Sequence, residues 1–149
     1  MRLLLRTTVA QPPAAVWAGF TRQLFLDLAP PLPQMRLLRF DGCQQGDRVE
    51  IELHLGPLRL DRWTSLITDH GELPGEGRYF VDEGQQLPGP LRFWRHRHLL
   101  EPGPHGGCVI VEDLEYRTPL RLLDWLAYPA MWATFAWRRP IYRRYFGGA

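Results

Sequence analysis

Apolar and polar side chains alternate from residue 2 to residue 10, with Leu3, Leu5, Thr7 and Val9 on one side and Arg6 and Thr8 on the other. A period of two predicts a first strand. Pro12 and Pro13 follow, and proline suits the first turn of a helix, where its missing N–H had no partner. Ala14, Ala15, Val16, Trp17, Ala18 and Phe20 then predict a short helix, and residues 22–28 a second one. The proline-rich segment 29–33 ends it, because a residue before proline is pushed out of the helical region. Period two then returns at 35–41, 48–55, 58–68, 77–83, 91–100 and 108–117. The clearest alternation is at 48–55, where Val49, Ile51, Leu53 and Leu55 oppose Arg48, Glu50, Glu52 and His54. One face of that strand is expected to be wet and the other covered. Glycine and proline clusters at 71–77, 84–90 and 102–107 separate the later strands and read as irregular loops that can move.

After residue 117 the period becomes 3.6. Thr118 is the candidate N-cap, with Pro119 at the first helical position. Leu120, Leu123, Ala127, Met131, Thr134 and Ile141 fit one face of a long terminal helix, which Pro129 and Pro140 should kink or divide. The order is therefore a strand, one or two short helices, about six further antiparallel strands, and a long C-terminal helix. This predicts an α+β chain forming one domain over 1–149, its curved antiparallel sheet of six or seven strands wrapped around that helix.

Composition sharpens the picture in two ways. With 149 residues, 45% of them apolar, the chain can bury a core unaided, and six tryptophans point to large flat apolar walls. All eighteen basic residues are Arg, and Lys and Asn are absent. A GC-rich coding bias accounts for both, and the net charge is only +2, so no nucleic-acid partner is expected. The two cysteines, Cys43 and Cys108, lack metal-ligand spacing, and residues 1–6 are too short for a signal-peptide core. The most apolar stretch, 125–137, falls short of the ~20 residues that span a bilayer. A cytoplasmic protein is the expectation.

Several segments resemble bacterial START-like (SRPBCC, helix-grip) proteins of the small ligand-binding-domain group. They are FDGCQQGDRVEIEL (40–53), DRWTSLIT (61–68), RYFVDEG (78–84), LRFWRHRHLL (91–100), VIVEDLEYRTP (109–119) and YPAMWATFAWRRPIYRRYF (128–146). The resemblance implies the helix-grip fold and a pocket for a hydrophobic molecule. The superfamily includes lipid-transfer domains, plant hormone and allergen proteins, polyketide cyclases and chaperone activators, so the fold names no ligand.

The pocket residues come from strand alternation. In 91–100, Arg95 and Arg97 share one face, so Trp94, His96, His98 and Leu100 are assigned inward. In 108–117 the more apolar face carries Cys108, Ile110, Glu112, Leu114 and Tyr116. Trp63, Ser65 and Ile67 are placed inward, and Phe80 is weighed against Tyr79 with Val81. The expected ligand-binding set is Trp63, Phe80, Trp94, His96, His98, Glu112 and Tyr116, capped by Leu123, Ala127 and Met131. Aromatic walls with a few polar groups are the usual lining of a small-molecule site.

His96 and His98 lie about 7 Å apart on one strand face, a spacing that suits a proton relay or a shared metal. For a metal only Glu112 or a neighbouring Asp could complete the set, so no metal and no cofactor is expected. The favoured function is non-catalytic binding or carriage of a lipid, isoprenoid, quinone or polyketide-like aromatic, with release through the loops at 71–77 and 84–90. A cyclase- or dehydratase-type enzyme using His96 and Glu112 as acid and base is the first alternative. Membrane or protein contact through the Arg/aromatic C-terminal helix is the second.

Overall fold

In the computed structural model, which describes residues 1–148, seven strands form one antiparallel sheet in the order β1-β7-β6-β5-β4-β3-β2. The elements are β1 (Arg2–Val9), α1 (Pro13–Ala18), α2 (Arg22–Asp27), β2 (Gln34–Phe40), β3 (Arg48–Leu55), β4 (Leu58–Leu73), β5 (Gly77–Gln86), β6 (Phe93–Pro102), β7 (Cys108–Arg117), α3 (Arg121–Ala136) and α4 (Arg138–Phe146). Strands β2 to β7 pair with their chain neighbours, while β1 closes the far edge against β7. Register shifts in β2, β3 and β4 add the local twist that lets a wide sheet curl.

Pro13 opens α1 as expected, and Thr21 caps α2 by accepting from the backbone N–H of Leu24. The loop expected at 71–77 is mostly strand. β4 runs through Leu73 and β5 begins at Gly77, so a tight turn at Pro74–Glu76 is all that separates them. Likewise β5 continues to Gln86, into the segment read as a second loop.

Thr118 does not cap the terminal helix. Leu120 occupies the N-cap position, and Asp124 Oδ1 instead accepts from the Thr118 backbone N–H at 2.7 Å. Pro129 sits inside α3 without ending it. Pro140 does divide the helix. Its ring nitrogen cannot donate to the carbonyl of Ala136, where α3 stops, and it falls in the first turn of α4, where no donor is needed.

Two buried clusters flank the middle of the molecule. One joins Val16, Leu24, Leu28 and Ile110 to Ile141, Tyr142 and Phe146 of α4. The other joins Leu3, Leu5, Trp94, Leu114 and Tyr116 to Phe135 of α3. Asp113, on the outer face of β7, accepts a bidentate pair from Arg2 at 2.7 and 2.9 Å and further bonds from Arg97, tying β1, β7 and β6 together.

The turn before β7 is equally constrained, because the Gly107 Cα faces the end of β1. A Cβ there would lie 2.4 Å from the Val9 carbonyl oxygen, which is backbone and cannot swing aside. Gly107→Ala is expected to destabilise the fold by about 1–3 kcal/mol, measurable as a lower denaturant midpoint. A midpoint equal to that of the unsubstituted chain would show that the turn relaxes freely.

Candidate functional site

The sheet's inner face is not filled throughout. Where β5, β6 and β7 face α3 and α4 the side chains pack, but Val49, Ile51 and Leu53 of β3 and Met35 of β2 stay half-buried around a hollow. α3 lies on β7, β1 and α4, which leaves the β2–β4 half uncovered by it. The result is a cavity of about 390 Å³ bounded by strands β2 to β6, α2 and the inner face of α3. Thr21, Pro33 and Ala130 are its solvent-exposed lining residues and mark the mouth. The segment 71–77 contributes no lining residue, whereas Pro88 of the segment 84–90 does; the exposed lining lies at the start of α2, before β2 and on α3.

Trp63, Phe80, Trp94, His96, His98 and Met131 line the cavity. Phe80, not Tyr79, points inward; the Tyr79 hydroxyl bonds Asp69 instead. Four expected residues do not line it. Tyr116 is fully buried and donates its hydroxyl to the Asp124 carbonyl at 2.8 Å, so it anchors the start of α3. Ala127 packs beside the Trp94 cluster, and Leu123 sits half-buried one turn earlier on α3. The cavity touches α3 only from Ala130 onward. Glu112 lies behind the wall, gripped by Arg138 Nη1 at 2.7 Å and the Tyr142 hydroxyl at 3.1 Å.

Residues not anticipated are Phe20, Leu24, Phe25 and Leu28 near and on α2, together with Asp82 and Arg138. Asp82 was legible: Phe80 inward puts Asp82, two residues on, on the same face. Arg138 was legible by chemistry, since an inward Glu112 needs a buried cation and Arg138 shares a helix face with Phe135 and Tyr142. The small helices gave no such signal, because nothing in their own pattern says which part of the sheet they meet.

The polar groups collect at the buried end of the cavity. Asp82 pairs with His96 across β5 and β6, and the pleat brings His98 beside them. Asp82 Oδ1 accepts from Ser65 Oγ at 3.1 Å and from the Trp94 indole N–H at 3.0 Å; the Trp63 indole N–H donates to Ser65 Oγ at 3.0 Å. Oδ2 faces His96 Nδ1 at 3.4 Å and His98 Nε2 at 3.5 Å. Burial alone would raise the Asp82 pKa, but the two imidazoles outweigh it and hold the carboxyl well below its usual range. Burial also lowers both histidines against the pull of Asp82, His98 to about 4, so both rings are neutral near pH 7. His96 Nε2 and His98 Nδ1 are buried without a partner. His96 Nε2 stands 3.9 Å from Glu112 Oε1, beyond hydrogen-bond reach, so these two do not form the expected acid–base pair.

Not all of the C-terminal aromatics are surface. Phe135, Tyr142 and Phe146 are core, whereas Leu122, Trp125, Leu126, Trp132 and Trp137 are exposed along α3 and at its end. Among the described residues no helix is long and apolar enough to cross a membrane.

No protein-family model matches the chain, and no curated protein does. Solved structures do. Ginseng major latex-like protein 151 from Panax ginseng is similar at 11% identity and TM-score 0.62 over 97% of each chain. Norcoclaurine synthase from Thalictrum flavum, solved with dopamine and hydroxybenzaldehyde, is similar at 15% identity and TM-score 0.61 over 91% of this chain and 82% of its own. A protein from Mycobacterium smegmatis matches at 15% identity and TM-score 0.58 over 94% and 89%. At such identities the likeness is one of backbone, and a seven-stranded antiparallel sheet closed by a long C-terminal helix is what these chains share with this one: it has the START-like helix-grip fold.

Proposed function

We propose that this protein binds a small, largely apolar molecule in the cavity between the sheet and α3, with the molecule's polar end at Ser65, Asp82, His96 and His98. The observation that carries this reading is a hollow of about 390 Å³ with mostly apolar walls and one buried polar corner. Its size falls in the range of small-molecule sites, and walls of this kind favour flat or branched hydrophobic ligands over sugars or nucleotides. Lipids, isoprenoids, quinones and polyketide-like aromatics all have that chemistry. A protein of the same fold solved with two small aromatic molecules supports the aromatic end of that range.

Binding or carriage is favoured over turnover by His96 and Glu112, because Glu112 is committed to Arg138 and Tyr142 and stands 3.9 Å from His96 Nε2. The test pairs native with denaturing mass spectrometry, followed by titration with an anilinonaphthalene dye. One small molecule or one dye per chain is expected. Thr134→Phe, which adds a ring on the cavity side of α3, should abolish binding while the melting temperature stays within a few degrees. Undiminished dye binding by a folded Thr134→Phe protein would place the site elsewhere and sink the reading.

A further inference from the structure

Asp82, His96 and His98, on two adjacent strands, each offer one donor atom, and the three lie within 4.8 Å of one another. We propose that they hold a divalent transition-metal ion of the zinc type, with its remaining coordination position turned into the cavity. This inference does not depend on which organic molecule fills the cavity.

The spacing is the first reason. A good N–H···O hydrogen bond would close to about 2.7–3.2 Å. The carboxylate–imidazole separations here are 3.4 and 3.5 Å. In a tetrahedral site with bonds of about 2.0–2.1 Å, neighbouring donors stand about 3.3–3.4 Å apart. The two separations from the carboxylate match those of ligands sharing an ion. Two imidazole nitrogens and one carboxylate oxygen form an N₂O set that suits zinc with one open position.

The surroundings are the second reason. Asp82 Oδ1, the oxygen left over, is fixed by Ser65 and Trp94, as outer-sphere partners fix ligating carboxylates. His96 is caught between two carboxylates, Asp82 at Nδ1 and Glu112 at Nε2. In a neutral ring only one nitrogen carries a proton, so the other turns a lone pair towards an anion. A metal on Nδ1 removes that conflict: Nε2 then carries the proton and faces the Glu112 carboxylate, 3.9 Å away.

Charge is the third reason. Asp82 and Glu112 bring two negative charges to this corner and Arg138 one positive charge. An uncompensated buried charge is costly, and a bound cation relieves it.

The experiment strips the purified protein with a chelator and titrates it with Co²⁺, reading the visible d–d absorption. One Co²⁺ per chain with strong tetrahedral bands, displaced by Zn²⁺, is expected. Asp82→Asn and His98→Gln should each weaken binding at least about 100-fold, no less than the loss of an outer-sphere partner, while His70→Ala, at an exposed position, leaves it unchanged. Absence of bands at millimolar Co²⁺ in the folded protein, or full retention in both ligand variants, overturns the proposal. Should those variants fail to fold, histidine-ring NMR of the unsubstituted protein decides. Zn²⁺ should shift the ring resonances of two of the five histidines, His96 and His98; shifts at His70 or His105 alone overturn it.

Discussion

Replacing Glu112 with Ala is expected to lower stability by about 3–5 kcal/mol, the cost of leaving a buried charge without its partner. The Arg138 guanidinium lies against the Phe135 ring, 4.3 Å from its centroid, and its Nη1 donates to Glu112 Oε1 at 2.7 Å. Desolvation opposes its charge, and Glu112 is the largest of the influences that sustain it. Without that carboxylate the guanidinium must stay buried and unpaired, or α4 must shift to let it out, and the Tyr142 hydroxyl loses its acceptor as well. At about 2–4 °C per kcal/mol for a chain of this size, the melting temperature should fall by about 10 °C. Glu112→Gln, which keeps an acceptor oxygen but not the charge, should lose roughly half as much. The double variant Glu112→Leu/Arg138→Met should recover most of the loss, because two apolar groups need no partners. Thermal melts of the four proteins decide it. A Glu112→Ala protein within about 1 kcal/mol of the parent would mean that water already reaches the pair.

Trp94→Ala carries the second large effect, and it acts on binding and stability together. Trp94 meets the Trp63 ring edge to face at 4.5 Å, packs with Leu3, Leu5 and Leu114, and donates to Asp82 at 3.0 Å. Removing a buried indole costs about 3–5 kcal/mol. It also takes away a wall of the cavity and one of the donors that fix Asp82. Affinity for an apolar dye that fills the cavity should fall at least about tenfold, since a buried aromatic contributes some 150–250 Å² of surface. Trp94→Phe keeps the wall and loses only the N–H, so its affinity should stay within a few-fold. Dye titration of the two folded variants separates the roles. Equal affinity in Trp94→Ala and the parent would show that the ligand never touches this ring.

How far the residues themselves foretold this arrangement differs from place to place. The face assignment of β6 was legible because Arg95 and Arg97 cannot face an apolar interior while Trp94, His96 and His98 can. The same argument placed Cys108, Ile110, Glu112, Leu114 and Tyr116 on the inner face of β7, and all are buried. It could not say that Tyr116 and Glu112 face packed core while His96 faces a hollow. Alternation reports which side of a strand is covered; whether that side meets a side chain or an empty volume depends on where the helix crosses. Ala127 and Leu123 were misplaced for the same reason, since a helical stripe fixes the face of α3 but not how far along it the cavity begins.

Period two, proline punctuation and the return to period 3.6 were thus enough to determine the order of elements and the curved sheet gripping a long helix. These are local and near-neighbour properties, written by the pleat and by backbone sterics. The tertiary structure alone decided that α3 covers only part of the sheet, that Arg138 turns inward to Glu112, and that Asp82 meets His96 and His98. Those depend on distant segments competing for one interior, where each buried charge must find its partner and the volume left unfilled becomes the site.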